Sequence, residues 1–166
     1  MLYTSAEAAK LLRKLNDDKI DLEENERQSS TFSAAINENI EQARPEYDYE
    51  KTRAELEEIE LKMRKVKHAI NKFNLEHEVP GFNMTIDQLL VYLPQLKRKK
   101  TKLNIMKSRL AKTREPVRVA GTIEYTYANY DVAQVKKDYD KISNELSRAQ
   151  LALDALNTQI KFEIEL

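Results

Sequence analysis

The stretch DVAQVKKDYDKISNELSRAQLALDALNTQIKF, residues 131–162, decides the fold class of this chain. Its apolar positions are Val132, Val135, Tyr139, Ile142, Leu146, Ala149, Leu153, Leu156 and Ile160, and the steps between them alternate three and four. That is the 3.5-residue period of a helix packed along a seam. Neither Gly nor Pro interrupts it, and Lys, Asp, Glu, Gln, Ser and Asn fill the other faces. Such a helix is roughly 45–50 Å long at about 1.5 Å per residue. It cannot cover its own stripe, so another part of the chain, or a second copy, must do so.

Working back along the chain, a second seam of the same kind runs through Tyr49, Thr52, Leu56, Ile59, Met63, Val66, Ile70 and Phe73. It predicts a helix from about 46 to 76, acidic in its first half and basic in its second, as the helix dipole favours. Pro80-Gly81 then makes a turn. Thr85 with Gln88 three residues on is a capping-box pattern. It opens a third helix over about 85–114, with Ile86, Leu89, Leu93, Leu96, Leu103, Met106 and Leu110 on one side. Pro94 lies inside that helix and is expected to kink or break it near Val91.

A looser stripe of Ala8, Leu11, Leu12, Leu15, Ile20 and Leu22 predicts a first helix over about 4–27, with Ser5 as its N-cap. Residues 28–45 have no sustained period and read as a connector, with a short helical turn over 33–43. Before the last helix, Val117-Arg118-Val119 and Thr122–Tyr127 flank Ala120-Gly121. Ile123, Tyr125 and Tyr127 alternate with polar residues, so this segment predicts a small β-hairpin over about 117–127. An isolated hairpin is marginal in water, so its aromatic face is expected to pack on the helices or on another subunit. The expected architecture is therefore mainly all-α. Long antiparallel helices form a coiled coil or helical bundle within a single domain, 1–166, with one β-hairpin before the last helix.

Landmarks along the chain resemble a small bacterial family of uncharacterised coiled-coil proteins, some of which carry the name septicolysin. They are Ile70-Asn71-Lys72-Phe73-Asn74, the helix start Thr85-Ile86 with Leu89-Leu90, the extended Ile123-Glu124-Tyr125, Asp131-Val132, Leu153-Asp154 and Gln159-Ile160. The chain departs from that pattern at Phe73, where a small polar residue is usual, and at Lys97-Arg98, where an Arg-Asp pair is usual. Phe162 stands where an Asn-Trp pair is expected. The resemblance implies a helical coiled-coil fold. The cytolytic activity that the family name suggests finds no export signal, no membrane hairpin of useful length and no thiol here.

Function classes are bounded by composition. Twenty-eight basic and 28 acidic residues cancel over 166 residues, and there is no cysteine. This excludes disulfides, a thiolate nucleophile and a zinc-thiolate site. No run of about 18 apolar residues predicts a membrane span. The expectation is a bacterial cytoplasmic protein without a cofactor. His68 and His77 lack a third convergent ligand, so no metal site is expected. No phosphate loop, nucleophile elbow or histidine-bearing metal helix occurs, so the chain is read as not an enzyme.

Two constellations remain. Lys97, Arg98, Lys99, Lys100 and Lys102, continued by Lys107, Arg109, Lys112 and Arg114, place nine cations between 88 and 114 with no acid among them. This basic segment, 97–114, is either a phosphate-tracking surface or one side of a charge zipper. The zipper is favoured, with the acidic halves of the first and second helices, including Glu55, Glu57, Glu58 and Glu60, as its other side. Tyr125, Tyr127 and Tyr130 beside Arg118 are candidates for base stacking, although one-faced strand aromatics more often belong to a core. Asn71, Asn74, Asp154 and Gln159 form the second constellation, polar residues near the seams that either set register or frame a buried ligand. The favoured function is a self-associating coiled-coil structural protein, a homo-oligomer through its seams. The alternative is non-sequence-specific nucleic-acid binding through the basic helix.

Overall fold

A computed structural model of the protein describes residues 1–116 and 121–166. The described chain is mostly helical, with five helices and three two-stranded antiparallel pairs. In order these are β1 (Leu2–Thr4), α1 (Ser5–Ser29), α2 (Ile40–Ala43), α3 (Tyr49–Glu76), β2 (Glu78–Val79), β3 (Met84–Thr85), α4 (Ile86–Lys107), β4 (Lys112–Arg114), β5 (Tyr125–Tyr127), α5 (Val132–Gln159) and β6 (Lys161–Glu163). They fall into two compact units, one comprising residues 1–76 and 156–166, the other residues 77–155.

In the first unit, α1 and α3 bury their stripes on one another. Ala8, Leu15, Val66 and Ile164 form the buried cluster, and Leu11, Leu12, Ile59, Met63 and Ile70 pack around it. Polar contacts continue the pairing beyond the cluster. Lys19 Nζ donates to Glu60 Oε1 at 2.7 Å, and the Tyr47 hydroxyl donates to Glu26 Oε1 at 2.7 Å. Glu26 holds that phenol in its protonated form, pushing it up to about 12. The N-cap of α1 is Thr4, one residue before the Ser5 expected. Its hydroxyl accepts from Glu7 N–H at 3.2 Å, and Glu7 Oε2 accepts from Thr4 N–H at 2.8 Å. The capping box needs a Glu or Gln three residues after the cap, which Thr4 has in Glu7 and Ser5, followed by Ala8, does not. Ile20, expected in the stripe, is instead 52% exposed.

The last helix ends at Gln159 and not at Phe162. Residues 161–163 extend and pair with β1, in the register Leu2↔Glu163, Tyr3↔Phe162 and Thr4↔Lys161. This pairing carries Ile164 into the cluster and stacks Phe162 on Phe73, with ring centroids 4.7 Å apart. The two aromatic departures from the resembled pattern thus lie against one another. The connector 28–45 contains one turn of helix, α2, capped by the Asn39 side chain.

In the second unit, Pro80-Gly81 turns as expected, with Gly81 at φ +80°, and the turn joins β2 to β3 in the register Glu78↔Thr85 and Val79↔Met84. Thr85 then caps α4 in the expected box, its hydroxyl accepting from Gln88 N–H at 3.3 Å and Gln88 Oε1 accepting from Thr85 N–H at 3.0 Å. Ile86, Leu89, Leu93 and Leu96 are buried along α4, and Val135, Leu146, Ala149 and Leu153 along α5. Every residue of the α5 stripe is buried or half-buried. The Tyr92 hydroxyl joins the two helices by donating to Glu145 Oε1 at 2.6 Å, which raises the pKa of that phenol. At the other end, Lys107 Nζ sits 3.3 Å from the Tyr139 ring centre.

Helix α4 runs on through Pro94 without a break, and it departs from expectation by ending at Lys107, seven residues before the bound read from sequence. Its last carbonyls are taken by side chains. The Ser108 hydroxyl donates to Ile105 O at 2.8 Å and the Tyr130 hydroxyl to Met106 O at 2.9 Å. Residues 112–114 are then free to form a strand. The hairpin is therefore built from β4 and β5, in the register Lys112↔Tyr127, Thr113↔Thr126 and Arg114↔Tyr125. The Val117–Val119 arm expected from sequence lies outside the described residues.

Candidate functional site

The charge balance of the whole chain conceals an uneven division. The first unit carries 14 basic and 19 acidic side chains, the second 14 basic and 9 acidic. In the first unit the carboxylates expected to serve a zipper are paired locally: Glu55 with Lys51, Glu57 with Arg53, Glu58 with Lys62 and Glu60 with Lys19. Three of these are contacts one helical turn apart on α3. No ion pair among the described residues involves Lys97, Arg98, Lys99, Lys100, Lys102, Lys107 or Arg109. Within the first unit, Glu55, Glu57, Glu58 and Glu60 of the proposed zipper thus have partners of their own.

The seven cations divide by helix face. Lys100 and Lys107, seven residues apart, both lie over the Tyr139 ring of α5, at 5.8 and 3.3 Å from its centre. The ring's negative face attracts an ammonium, and these two lysines are half-buried. Lys97, Arg98 and Lys102 point elsewhere. With Thr101, Ile105 and Met106, and with Arg109 just past the helix end, they line an open groove of about 590 Å³. Its floor is apolar, Ile105 being 55% exposed, and its rim is cationic. Lys99 is exposed outside it. An apolar strip flanked by flexible cations suits a partner with negative groups along one edge and flat apolar surface along the other.

The hairpin begins three residues beyond Arg109. Register places Lys112, Arg114, Tyr125 and Tyr127 on one face and Thr113 and Thr126 on the other, because side chains alternate along each strand. Tyr125 is 43% and Tyr127 61% exposed, so within the chain this aromatic face is not covered by the helices. The two rings stand 6.4 Å apart, and Lys112 Nζ lies 4.1 Å from the first and 5.4 Å from the second. Tyr130, grouped with them in the sequence, serves to close α4. Arg118 lies outside the described residues. The repeated patterns Lys-Thr-Arg and Tyr-Thr-Tyr were the available signal for this mixed face, obscured by extending the helix through 114.

Asn71, Asp154 and Gln159 are exposed and Asn74 is half-buried, with Asp154 in the second unit and the other three in the first. A separate cleft of about 410 Å³ in the second unit is lined by Gly81, Phe82, Tyr92, Lys141, Glu145 and Arg148 among others. There the Arg148 guanidinium lies 5.7 Å from the Phe82 ring centre. Among the described residues there is no group of three or more His, Cys, Asp or Glu side chains able to hold a metal ion. Nor is any described helix long and apolar enough to cross a membrane.

No protein-family model and no curated protein matches the chain. Among solved structures, it is similar to the crystal structure of a functionally unknown conserved protein from Corynebacterium diphtheriae. The TM-score is 0.64 at 17% identity, over 98% of this chain and 100% of the other. That similarity establishes a shared fold across nearly the whole length.

Proposed function

We propose that the protein is a binding protein and not an enzyme, and that its second unit binds nucleic acid without sequence specificity through the face around Lys97, Arg98, Lys102 and Arg109. One observation carries this reading: in a chain with equal numbers of acids and bases, these cations have no carboxylate partner among the described residues while Glu55, Glu57, Glu58 and Glu60 of α3 have cationic ones. Unpaired, exposed cations in a row are the footprint of a polyanion site. Size-exclusion chromatography with light scattering on low-salt lysate, monitored at two wavelengths, tests it. With eight Tyr and no Trp the protein absorbs weakly, so bound nucleic acid dominates the short-wavelength signal. A co-eluting nucleic-acid peak that high salt removes is expected. A clean protein peak at low salt, with no retention of added oligonucleotide, overturns the proposal.

Self-association as an antiparallel coiled coil is the second reading. The opposed α1 and α3 seams support the antiparallel pairing but close within one chain, which leaves them no apolar stripe to share. Exposed Leu90, Val91 and Leu151 in the second unit are what favour a contact between copies. The same chromatogram tests it, through a mass that is an integral multiple of 19.4 kDa. Relationship to the coiled-coil family that includes septicolysin-named members is proposed on the shared order of motifs and concerns the fold.

A further inference from the structure

Resting on the nucleic-acid reading, we infer that the β4–β5 hairpin is a base-stacking platform that makes the site selective for single strands. Three observations on the hairpin point this way. Tyr125 and Tyr127 are exposed side by side on one face, although Tyr rings of this size are ordinarily used to fill a core. That face also carries Lys112 and Arg114, so it is not an apolar face awaiting a protein core. Thirdly, the ring centres are 6.4 Å apart. The ring planes are inclined by 49°, so both cannot lie parallel to the bases of one continuous duplex stack, whereas each can receive a base from a single strand free to turn between them.

The cations are placed to serve the same strand. Lys112 Nζ rests over both rings in the free protein, where the aromatic faces hold it by cation–π attraction. A phosphate arriving between the rings draws the ammonium to itself and leaves a ring face open to the base. Arg114, directly opposite Tyr125, stands ready for the next phosphate. The α4 groove, whose Arg109 precedes β4 by three residues in the chain, offers Lys102, Arg98 and Lys97 and an apolar floor of Ile105 and Met106 as a second contact for such a strand. Stacking is indifferent to base identity, so the site is expected to read no sequence.

The test uses the full chain with three probes at low salt: a fluorescent 20-mer of thymidine, a duplex of equal length, and heparin as a polyanion without bases. Wild type is expected to prefer the single strand to the duplex and also to bind heparin. The double variant Tyr125→Ala/Tyr127→Ala should weaken single-strand binding on the order of 30-fold, since each stacked base contributes about 1 kcal/mol or more. Its heparin affinity should stay within about two-fold. Tyr125→Phe/Tyr127→Phe keeps the rings and should bind the single strand as wild type does. Parallel loss of heparin and single strand in the alanine variant, or an affinity for the single strand that it leaves unchanged, overturns the stacking platform while leaving the polyanion site intact. Equal loss in the phenylalanine variant also overturns it. Wild type that binds none of the three probes overturns both readings.

Discussion

Neutralising two cations of the α4 groove gives the sharpest test of what they are for. Lys97, Arg98, Lys102 and Arg109 line the groove and none is paired with a carboxylate among the described residues. Suppose each meets one phosphate of a single strand, as Lys112 and Arg114 of the hairpin do. Each such contact contributes about −0.7 to the slope of log K against log salt, so six give roughly −4.2. Between 50 and 200 mM salt, wild-type affinity should then fall about 300-fold. In Lys97→Ala/Arg98→Ala the slope should fall to about −2.8 and the same salt step should cost only about 50-fold. Fluorescence anisotropy with a labelled oligonucleotide measures both slopes, and circular dichroism follows the fold. Thermal stability should not fall, because no ion pair is broken. A slope unchanged by the double substitution would refute the phosphate-tracking argument. A lower melting temperature with intact binding would show that these cations have a structural partner after all.

Three further expectations concern the scaffold. Phe73 is 2% exposed and stacks on Phe162, so Phe73→Ala should destabilise the first unit by about 3–5 kcal/mol in urea unfolding; a loss under about 1 kcal/mol would show that the stack is incidental. Thr85→Ala removes one half of the α4 capping box and should cost about 1 kcal/mol, whereas Thr85→Ser should restore most of it. Tyr47 donates to Glu26, and its folded pKa of about 12 stands above the ordinary value of 10.0. A raised folded pKa means that its contribution is complete below pH 10 and lost between about pH 10 and 12. An ultraviolet difference titration of wild type against Tyr47→Phe should show one phenol with a midpoint near 12, and a midpoint near 10 would contradict the contact.

Periodic features were legible in the chain. The α5 stripe is all buried or half-buried, and the Thr85–Gln88 box forms as read, because both depend on residues within a turn or two of one another. What escaped the sequence depends on partners distant along the chain. Residues 161–163 follow a helical pattern, and only pairing with β1, some 160 residues away, turns them into a strand. Likewise Lys112 and Arg114 continue the basic run of α4. The hydroxyls of Ser108 and Tyr130 end the helix first, and the two cations become part of a strand face. The basic segment was visible as composition, but its division into a Tyr139-facing pair and a groove-facing set follows from helix phase once α5 is in place.

An excess of unpaired cations also has a thermodynamic consequence independent of any binding assay. A cation near a helix C-terminus is favoured by the dipole, which accounts for Lys107 in the last turn of α4. Lys97 to Lys102 lie in the helix interior, beyond the reach of that effect, and repel one another across a turn. Such repulsion is screened by salt, with a Debye length near 10 Å at 0.1 M. Raising salt without ligand should therefore raise the melting temperature of the second unit, whereas a fold held by a charge zipper would lose stability under the same change. Heparin should raise the melting temperature further at low salt, since binding at a hundred times its Kd stabilises the folded state by about 2.7 kcal/mol. Stability that falls as salt is added, together with no response to heparin, would mean that the cations are already neutralised within the folded protein, and the α4 groove would lose its claim to be a binding site.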